Sequence, residues 1–314
     1  MAEPPYGVIW DLLKAGQVVP FLGAGASIVG REAGACWNCD NPAFLPSGVE
    51  LADFLAKKAM FPSQDPYERK DLAKVSSYYS DVSGRSRLRG ALRQVLNHDY
   101  QSGLLHQFLA ELPGPLVIVV TNYDTLVEQA FRAANKPYDL VIYPAERKDM
   151  ANAILWWPHG EAAPKDRLPN ALDRDIDLTK TTVIYKMHGS LVREIQDMDQ
   201  FVITEEDYVD FLSRMITNAA VPSLFYPYFR ERSFLFLGYS LRDWNLRVVL
   251  KNLSRNLYTR RGGNGDSDEE VLPSWAIQYQ PSELEKKLWE KRNVEIYDLT
   301  IDEFISKLRE RRGN

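Results

Sequence analysis

Short, unbroken apolar runs alternate along this chain with longer stretches in which apolar side chains return every third or fourth position. The first pattern reads as a strand buried on both faces of a parallel sheet, the second as a helix with one buried side. Tyr6 to Lys14 gathers Val8, Ile9, Leu12 and Leu13 on one helical face and ends before Gly16. Gln17 to Leu22 is then a strand that stops at Gly23, and Arg31 to Ser47 is loop-like in composition. From Gly48 to Leu112 the helical period takes over, with Leu51, Phe54 and Leu55, then Leu72, Val75 and Tyr79, then Leu88, Leu92, Val95 and Leu96 on successive faces. Pro115 to Val120 is the clearest buried strand, and Leu126, Val127, Ala130 and Phe131 mark the helix after it.

The alternation continues to the end. Strands are expected at Tyr138 to Tyr143, Ala153 to Trp157, the β-branched run from Val183, Ser233 to Leu237, Trp275 to Ile277 and Val294 to Tyr297. Thr204 and Asp207 form a capping box ahead of Tyr208, Phe211 and Leu212, and Thr300 with Glu303 opens the final helix. Helices are also expected from Asp243, with Leu246, Val249, Leu250 and Leu253 on one face, and over Ser282 to Lys291, while Arg260 to Glu270 reads as a surface loop. Together these elements predict a doubly wound, Rossmann-like α/β fold around a parallel sheet. Residues 1–314 form a single domain on this reading, with a mainly helical insertion at about 48–112 that walls or lids the cleft.

Four of the strands end in small or polar turns: Gly23-Ala24-Gly25-Ala26-Ser27, Thr121-Asn122-Tyr123-Asp124, His188-Gly189-Ser190 and Gly238-Tyr239-Ser240. In a parallel sheet these turns share one edge, where open α/β sheets bind ligands. Glycine there permits positive φ and close backbone approach, and amides of the next turn can hold a phosphate. The third glycine of the dinucleotide fingerprint is missing, which argues against a standard dehydrogenase. Thr, Asn and Asp are also good helix caps, so a purely local role competes at Thr121, Asn122, Asp124 and Asp243. His188 follows a β-branched run, whereas its rival His159 follows two tryptophans and precedes a charged loop, so His188 is preferred. A phosphate-cradling loop with Asn, Asp, His and Ser suggests a nucleotide substrate without naming the reaction.

Composition narrows the partners. The net charge of -5 disfavours a broad nucleic-acid surface, and no direct nucleic-acid binding is expected. Arg85, Arg87, Arg89 and Arg93 at helical spacing read as a solvated face, less often as a docking surface. Cys36 and Cys39 form a lone C-x-x-C in a loop without further ligands at matching spacing, so they read as two ordinary thiols and no metal is expected. No apolar run approaches the ~20 residues that span a bilayer, and Met1-Ala2-Glu3-Pro4-Pro5 is neither basic nor apolar. A cytoplasmic protein with no membrane partner is expected.

Taken in order and in these strand contexts, Gly23-Ala24-Gly25-Ala26-Ser27, Asn122-x-Asp124, His188-Gly189 and Gly238-x-Ser240 resemble the sirtuin superfamily of NAD-consuming enzymes. Thr121-Asn122-Tyr123-Asp124, Lys186-Met187-His188-Gly189-Ser190-Leu191, Thr204-Glu205-Glu206-Asp207-Tyr208 and Gly238-Tyr239-Ser240-Leu241-x-Asp243 are similar to its prokaryotic branch, which includes NAD hydrolase domains of antiviral defence systems. The likeness runs from about Val18 to Asp298. Protein deacylases of the superfamily carry a four-cysteine zinc module, a Thr-Gln-Asn-x-Asp motif and an Ile-Pro-Asp-Phe-Arg segment. This chain has two cysteines, a motif one residue shorter and no such segment. The resemblance therefore implies an NAD site without implying an acyl-lysine tunnel.

It implies hydrolysis of NAD+, as substrate, to ADP-ribose and nicotinamide by an effector of prokaryotic antiviral defence. In that picture main-chain amides around Ala24 to Ser27, between Gly23 and Thr121 at their strand ends, hold the pyrophosphate, with Gly25 and Ala26 in the loop and the Ser27 hydroxyl as a further donor. Gly238 and Ser240, flanking Tyr239, approach the phosphates or the adenosine ribose. Asn122 orients a ribose hydroxyl or water, Asp124 fixes the nicotinamide-ribose end, and His188, neutral near pH 7, is the general base. Two other functions suit the same residues: an NAD-dependent protein deacylase or ADP-ribosyltransferase, and a non-catalytic NAD or ADP-ribose-binding assembly or sensor module. A constantly active NAD hydrolase harms its own cell, so control by homo-oligomerisation or by a partner is expected. The family points to a translocase-type ATPase or an Argonaute-like protein as that partner.

Overall fold

The computed structural model describes residues 3–32, 34–147, 153–216, 220–239, 250 and 272–311. In chain order these give α1 (Tyr6–Lys14), β1 (Val18–Leu22), α2 (Gly48–Lys58), α3 (Pro66–Arg69), α4 (Leu72–Ser83), α5 (Arg85–Leu96), α6 (Leu104–Glu111), β2 (Val117–Val120), α7 (Leu126–Ala133), β3 (Asp139–Ile142), β4 (Ile154–Trp157) and β5 (Lys165–Arg167). They continue with β6 (Val183–Lys186), α8 (Glu205–Ile216), α9 (Phe225–Arg230), β7 (Ser233–Leu237), β8 (Ser274–Gln278), α10 (Glu283–Glu290), β9 (Val294–Asp298) and α11 (Ile301–Glu310). The strands form one sheet in the order β5-β4-β3-β6-β2-β1-β7-β8-β9. Pairing is parallel from β3 through β9 and antiparallel only where β4 joins β3 and β5. This is the largely parallel, Rossmann-like α/β fold that the patterning predicts.

Every residue of β1, β2, β6 and β7 is buried. Val19, Phe21, Val117, Val119 and Tyr185 face one core, while Val18, Leu22, Ile118, Val120 and Ile184 face the other. Both sheet faces are covered, which is why these strands read as continuous apolar runs rather than alternating ones. Each such side chain contributes roughly 1.5–3 kcal/mol on burial, so these four strands are the rigid platform of the molecule.

Helices α2 to α6 lie between β1 and β2. A capping box of Ser47 and Glu50 starts α2, and Asp71 caps α4. Their apolar faces, including Leu51, Leu55, Val75, Leu88 and Leu92, build a third core that also takes in Leu126 at the start of α7 and Leu191, Phe201 and Ile203 from the segment after β6. The helical segment is thereby packed onto the edge where the candidate residues lie.

Some expectations need correction. In α1 the buried residues are Tyr6, Ile9 and Leu13, whereas Val8 is 52% exposed. Strand β5 lies within what reads as a charged loop, because a short edge strand of Lys165, Asp166 and Arg167 has no apolar face to signal it. The arginines of α5 are not simply a solvated face. Arg85 donates to Glu146, Asp207 and the Phe201 carbonyl, and Arg93 donates to both oxygens of Asp199, so two of the four are turned inward. Apart from Leu250, which is buried, the helix expected from Asp243 and the loop from Arg260 to Glu270 lie outside the described residues, as does Ser240. Among the described residues no helix is long and apolar enough to cross a membrane.

Candidate functional site

The four strands whose ends carry the candidate turns are neighbours in the sheet, in the order β6-β2-β1-β7. All run parallel, so their carboxyl ends meet at one edge. The chain leaves β1 toward β2 on one side and later returns to β7 on the other, which makes this edge a topological switch point. A cavity of about 280 Å³ opens there. Of the expected residues, Ala24, Ser27, Thr121, Asn122, Asp124, His188, Gly238 and Tyr239 line it.

Gly23, Gly25 and Ala26 do not. They form the wall behind it, because the Gly-rich turn packs on the β7 turn. Gly23 N donates to Leu237 O at 3.0 Å, Gly25 N to Gly238 O at 2.8 Å, and Ala26 N to Gly23 O at 2.8 Å. Gly238 adopts φ +71°, and a Cβ there would collide with Ala26 N. Glycine at 238 is thus required both by conformation and by contact. Two of the amides expected to cradle pyrophosphate, those of Gly25 and Ala26, are already engaged within the protein.

Between the turns runs a hydrogen-bonded chain. Asn122 Nδ2 donates to Gly23 O at 2.8 Å and to Ser27 Oγ at 2.6 Å, and Ser27 Oγ donates to Asp124 Oδ2 at 2.5 Å. Asp124 Oδ1 accepts from Leu126 N at 3.0 Å at the start of α7, so Asp124 ties the beginning of that helix as well as holding Ser27. In this arrangement the Ser27 proton goes to the Asp124 carboxylate. The amide orientation of Asn122 leaves its Oδ1 as the acceptor for a ligand hydroxyl or water. Thr121 is a structural tie, its N and Oγ1 both donating to Leu22 O.

His188 follows β6 and is 7% exposed. Its ring stands edge-on to Tyr208 at 5.5 Å and to Phe211 at 5.2 Å, both on α8. Burial in this aromatic surround pushes its pKa down to about 4, so the imidazole is neutral at pH 7 and able to accept a proton. Its loop is fixed by backbone pairing: Val202 N donates to His188 O, Gln200 N to Ser190 O and Leu191 N to Tyr123 O. His159, the rival, is exposed and lies in a different hollow beside Trp157 and Tyr138.

Sequence reasoning expects the helical insertion to wall or lid the cleft but assigns no residue to the apolar half of the cavity. Leu45 and Pro46 from the loop before α2, and Gly48, Leu51, Leu72 and Leu96 from the helical segment, with Tyr123 and Tyr208, complete the lining. Their helical periodicity looks the same whether a face meets a core or a cavity, and only the position of α2 to α6 over the strand ends separates the two. A second hollow of about 670 Å³ shares Gly238 and Tyr239 with the first and continues past Gly25 and Ile28 to Ile277 and Thr300. Among the described residues no group of three or more His, Cys, Asp or Glu side chains is placed to hold a metal ion, and Cys36 and Cys39 are exposed free thiols.

Comparison with known proteins agrees with this geometry. The NAD(+) hydrolase ThsA of Enterococcus faecium is 28% identical over 201 residues, covering 60% of this chain and 33% of that protein. The protein of the same name from Bacillus cereus (strain MSX-D12) is 24% identical over 223 residues, covering 68% of this chain and 38% of that one. The Acinetobacter baumannii (strain 532279) protein of that name is 27% identical over 217 residues, 66% of this chain and 36% of its own length. The chain thus spans about a third of the length of these relatives. The SIR2-like domain model matches residues 116–297, more than half of the chain and three of the four strand ends that meet at the cavity, and the chain belongs to the SIR2-like domain family.

Proposed function

We propose that this chain hydrolyses NAD+ to ADP-ribose and nicotinamide. The observation that carries the reading is the convergence of neutral, buried His188 with the Asn122-Ser27-Asp124 chain in one cavity at the switch point. Relatives that bear the name NAD(+) hydrolase support it. The cavity holds His188 and Asn122 and so takes the nicotinamide-ribose end. The adenosine end lies beyond Gly238 and Tyr239 in the adjoining hollow.

Departure of nicotinamide needs no strong acid, because the C1′–N bond breaks with its electron pair going to a ring nitrogen that becomes neutral. Positive charge then develops at C1′. Water, held by Asn122 Oδ1, forms the new C1′–O bond, and its proton passes to His188. A weak base suffices against so electrophilic a carbon. Asp124 acts mainly through Ser27 and the start of α7, keeping Asn122 in place.

The test is incubation with NAD+ alone, following nicotinamide and ADP-ribose. His188→Ala should retain the fold and lose about 100- to 10,000-fold in rate. Near-normal cleavage by that variant sinks the assignment. Nicotinamide release that waits for an added protein acceptor identifies an ADP-ribosyl or acyl transferase instead, and tight binding without product identifies a binding module. A role in antiviral defence, with activity governed by homo-oligomerisation or by a partner such as a translocase-type ATPase or an Argonaute-like protein, completes the proposal. Solution mass measured alongside turnover checks it.

A further inference from the structure

Behind the cavity, one buried lysine ties the turn after β2 to β6. Lys186 is the last residue of β6, two positions before His188, and is fully buried without lining the cavity. Its Nζ donates to the main-chain oxygen of Asp124. The same Nζ lies 3.4 Å from Glu128 Oε1, in the first turn of α7, where Glu128 is 2% exposed. Neither Glu128 oxygen receives a hydrogen bond among the described residues, so Lys186 is its balancing group. Nearby His106 is also 2% exposed and accepts from Gly103 N at Nδ1. Burial holds its pKa down to about 4, with Asp124 opposing and Lys186 reinforcing, so it adds no charge near pH 7.

A buried ion pair is an inefficient way to stabilise a fold. Desolvation costs several kcal/mol per ion, and well-packed apolar side chains of similar volume do as well or better. The placement of this pair gives it another use. We infer that Lys186 and Glu128 are a positioning pair for the reaction: Glu128 balances Lys186, and Lys186 fixes the 121–125 turn, hence Asn122 and Asp124, against the His188 that follows on its own strand. One side chain thereby sets the spacing of two strand ends. This rests on the reading of the site as an NAD hydrolase, in which a displacement of about 1 Å can cost 100-fold in rate.

The test is the double substitution Lys186→Met/Glu128→Leu in the full chain, which removes both charges and strands neither. Unfolding midpoint, amide exchange, NAD+ affinity and turnover are measured on it and on the parent. The midpoint should stay close to the parent's, and amides of residues 121–126 should exchange about tenfold faster while those of β2 and β6 keep their protection. Affinity should change by less than about threefold and kcat should fall about 30-fold or more, a loss confined to the transition state. A merely structural pair would instead shift stability and exchange across the whole sheet, or leave kcat alone. Parent-like exchange at 121–126 overturns the proposal whether or not the protein turns over NAD+. Faster exchange there in a protein whose parent never cleaves NAD+ upholds the positioning role and rejects only the hydrolase reading. Should the double variant fail to fold, Glu128→Gln keeps size and shape: it should show the same local rise in exchange and a lower kcat, and no change in either overturns the inference.

Discussion

Ser27 and Asp124, 97 residues apart in sequence, share a hydrogen bond of 2.5 Å that joins the turn after β1 to the turn after β2. Asn122 donates to the same serine oxygen at 2.6 Å, so Ser27 is the hub of this hydrogen-bonded chain. Ser27→Ala leaves a mostly buried carboxylate oxygen and an amide without their partner. A loss of about 1–3 kcal/mol in urea unfolding is expected. Combined with Asp124→Ala in a double-mutant cycle, the two losses should fall short of additivity by about 1 kcal/mol or more. Additivity within about 0.3 kcal/mol would mean that the contact does not couple the turns.

Gly189 supports the His188 loop by being small. It adopts φ +84°, and a Cβ there would run into the main chain of Gln200. Gly30 has nearly the same conformation, φ +82°, with nothing within 4 Å of its would-be Cβ. Alanine at Gly30 should cost only the left-handed penalty of about 1–2 kcal/mol. Alanine at Gly189 should cost about 1–3 kcal/mol more and depress turnover, because overpacking is added and the histidine shifts. Equal losses at the two sites would show that the 199–203 segment yields freely.

The platform of the fold was legible because β1, β2, β6 and β7 are buried on both faces and their residues say so without ambiguity. Strand ends marked by Gly, Asn and His then pointed to the edge where they meet. What each group does there was not legible. The Ser27 hydroxyl suits a phosphate donor by residue type, yet its proton goes to Asp124, and the Gly25 amide suits a phosphate cradle, yet it is bonded to Gly238. Contacts between residues far apart in sequence decide these roles, and local pattern does not encode them. Lys186 and Glu128 illustrate the same limit, since a lysine inside a strand motif gives no sign that its counter-charge sits on the helix after the neighbouring strand.

Arg93 is predicted to matter to the site from a distance. It donates to both oxygens of Asp199 at 2.9 Å and to the carbonyls of Val192 and Arg193, and the Asp199 side chain is 0% exposed. Asp199 in turn accepts from Val192 N, closing the loop that runs on from His188. Burial pushes the Asp199 carboxyl upward against the pull of Val192 N and Arg93. Arg93→Met strands that carboxylate and should cost about 3–5 kcal/mol. Adding Asp199→Asn removes the charge and should recover about 1 kcal/mol or more, whereas Lys57→Met, on an exposed i,i+4 pair, should change stability by less than about 0.5 kcal/mol. Chemical denaturation of the three variants checks the contrast.

Two buried histidines contribute to the acid sensitivity. Burial holds both His188 and His106 down to about 4, from an ordinary value of 6.5. Between those values the unfolded chain binds protons that the folded chain refuses, so stability rises with pH across this window. The contribution is complete above about 6.5 and is lost as pH falls toward 4. The slope of unfolding free energy against pH from 4 to 6.5 should therefore be shallower in His106→Leu, and likewise in His188→Leu. The catalytic consequence is separate. As the base, His188 need only be neutral, so kcat/KM for NAD+ should stay level down to about pH 5 and fall through about 4. An acid limb near 6.5 would show that the imidazole is solvated in the working enzyme and that α8 opens before the reaction.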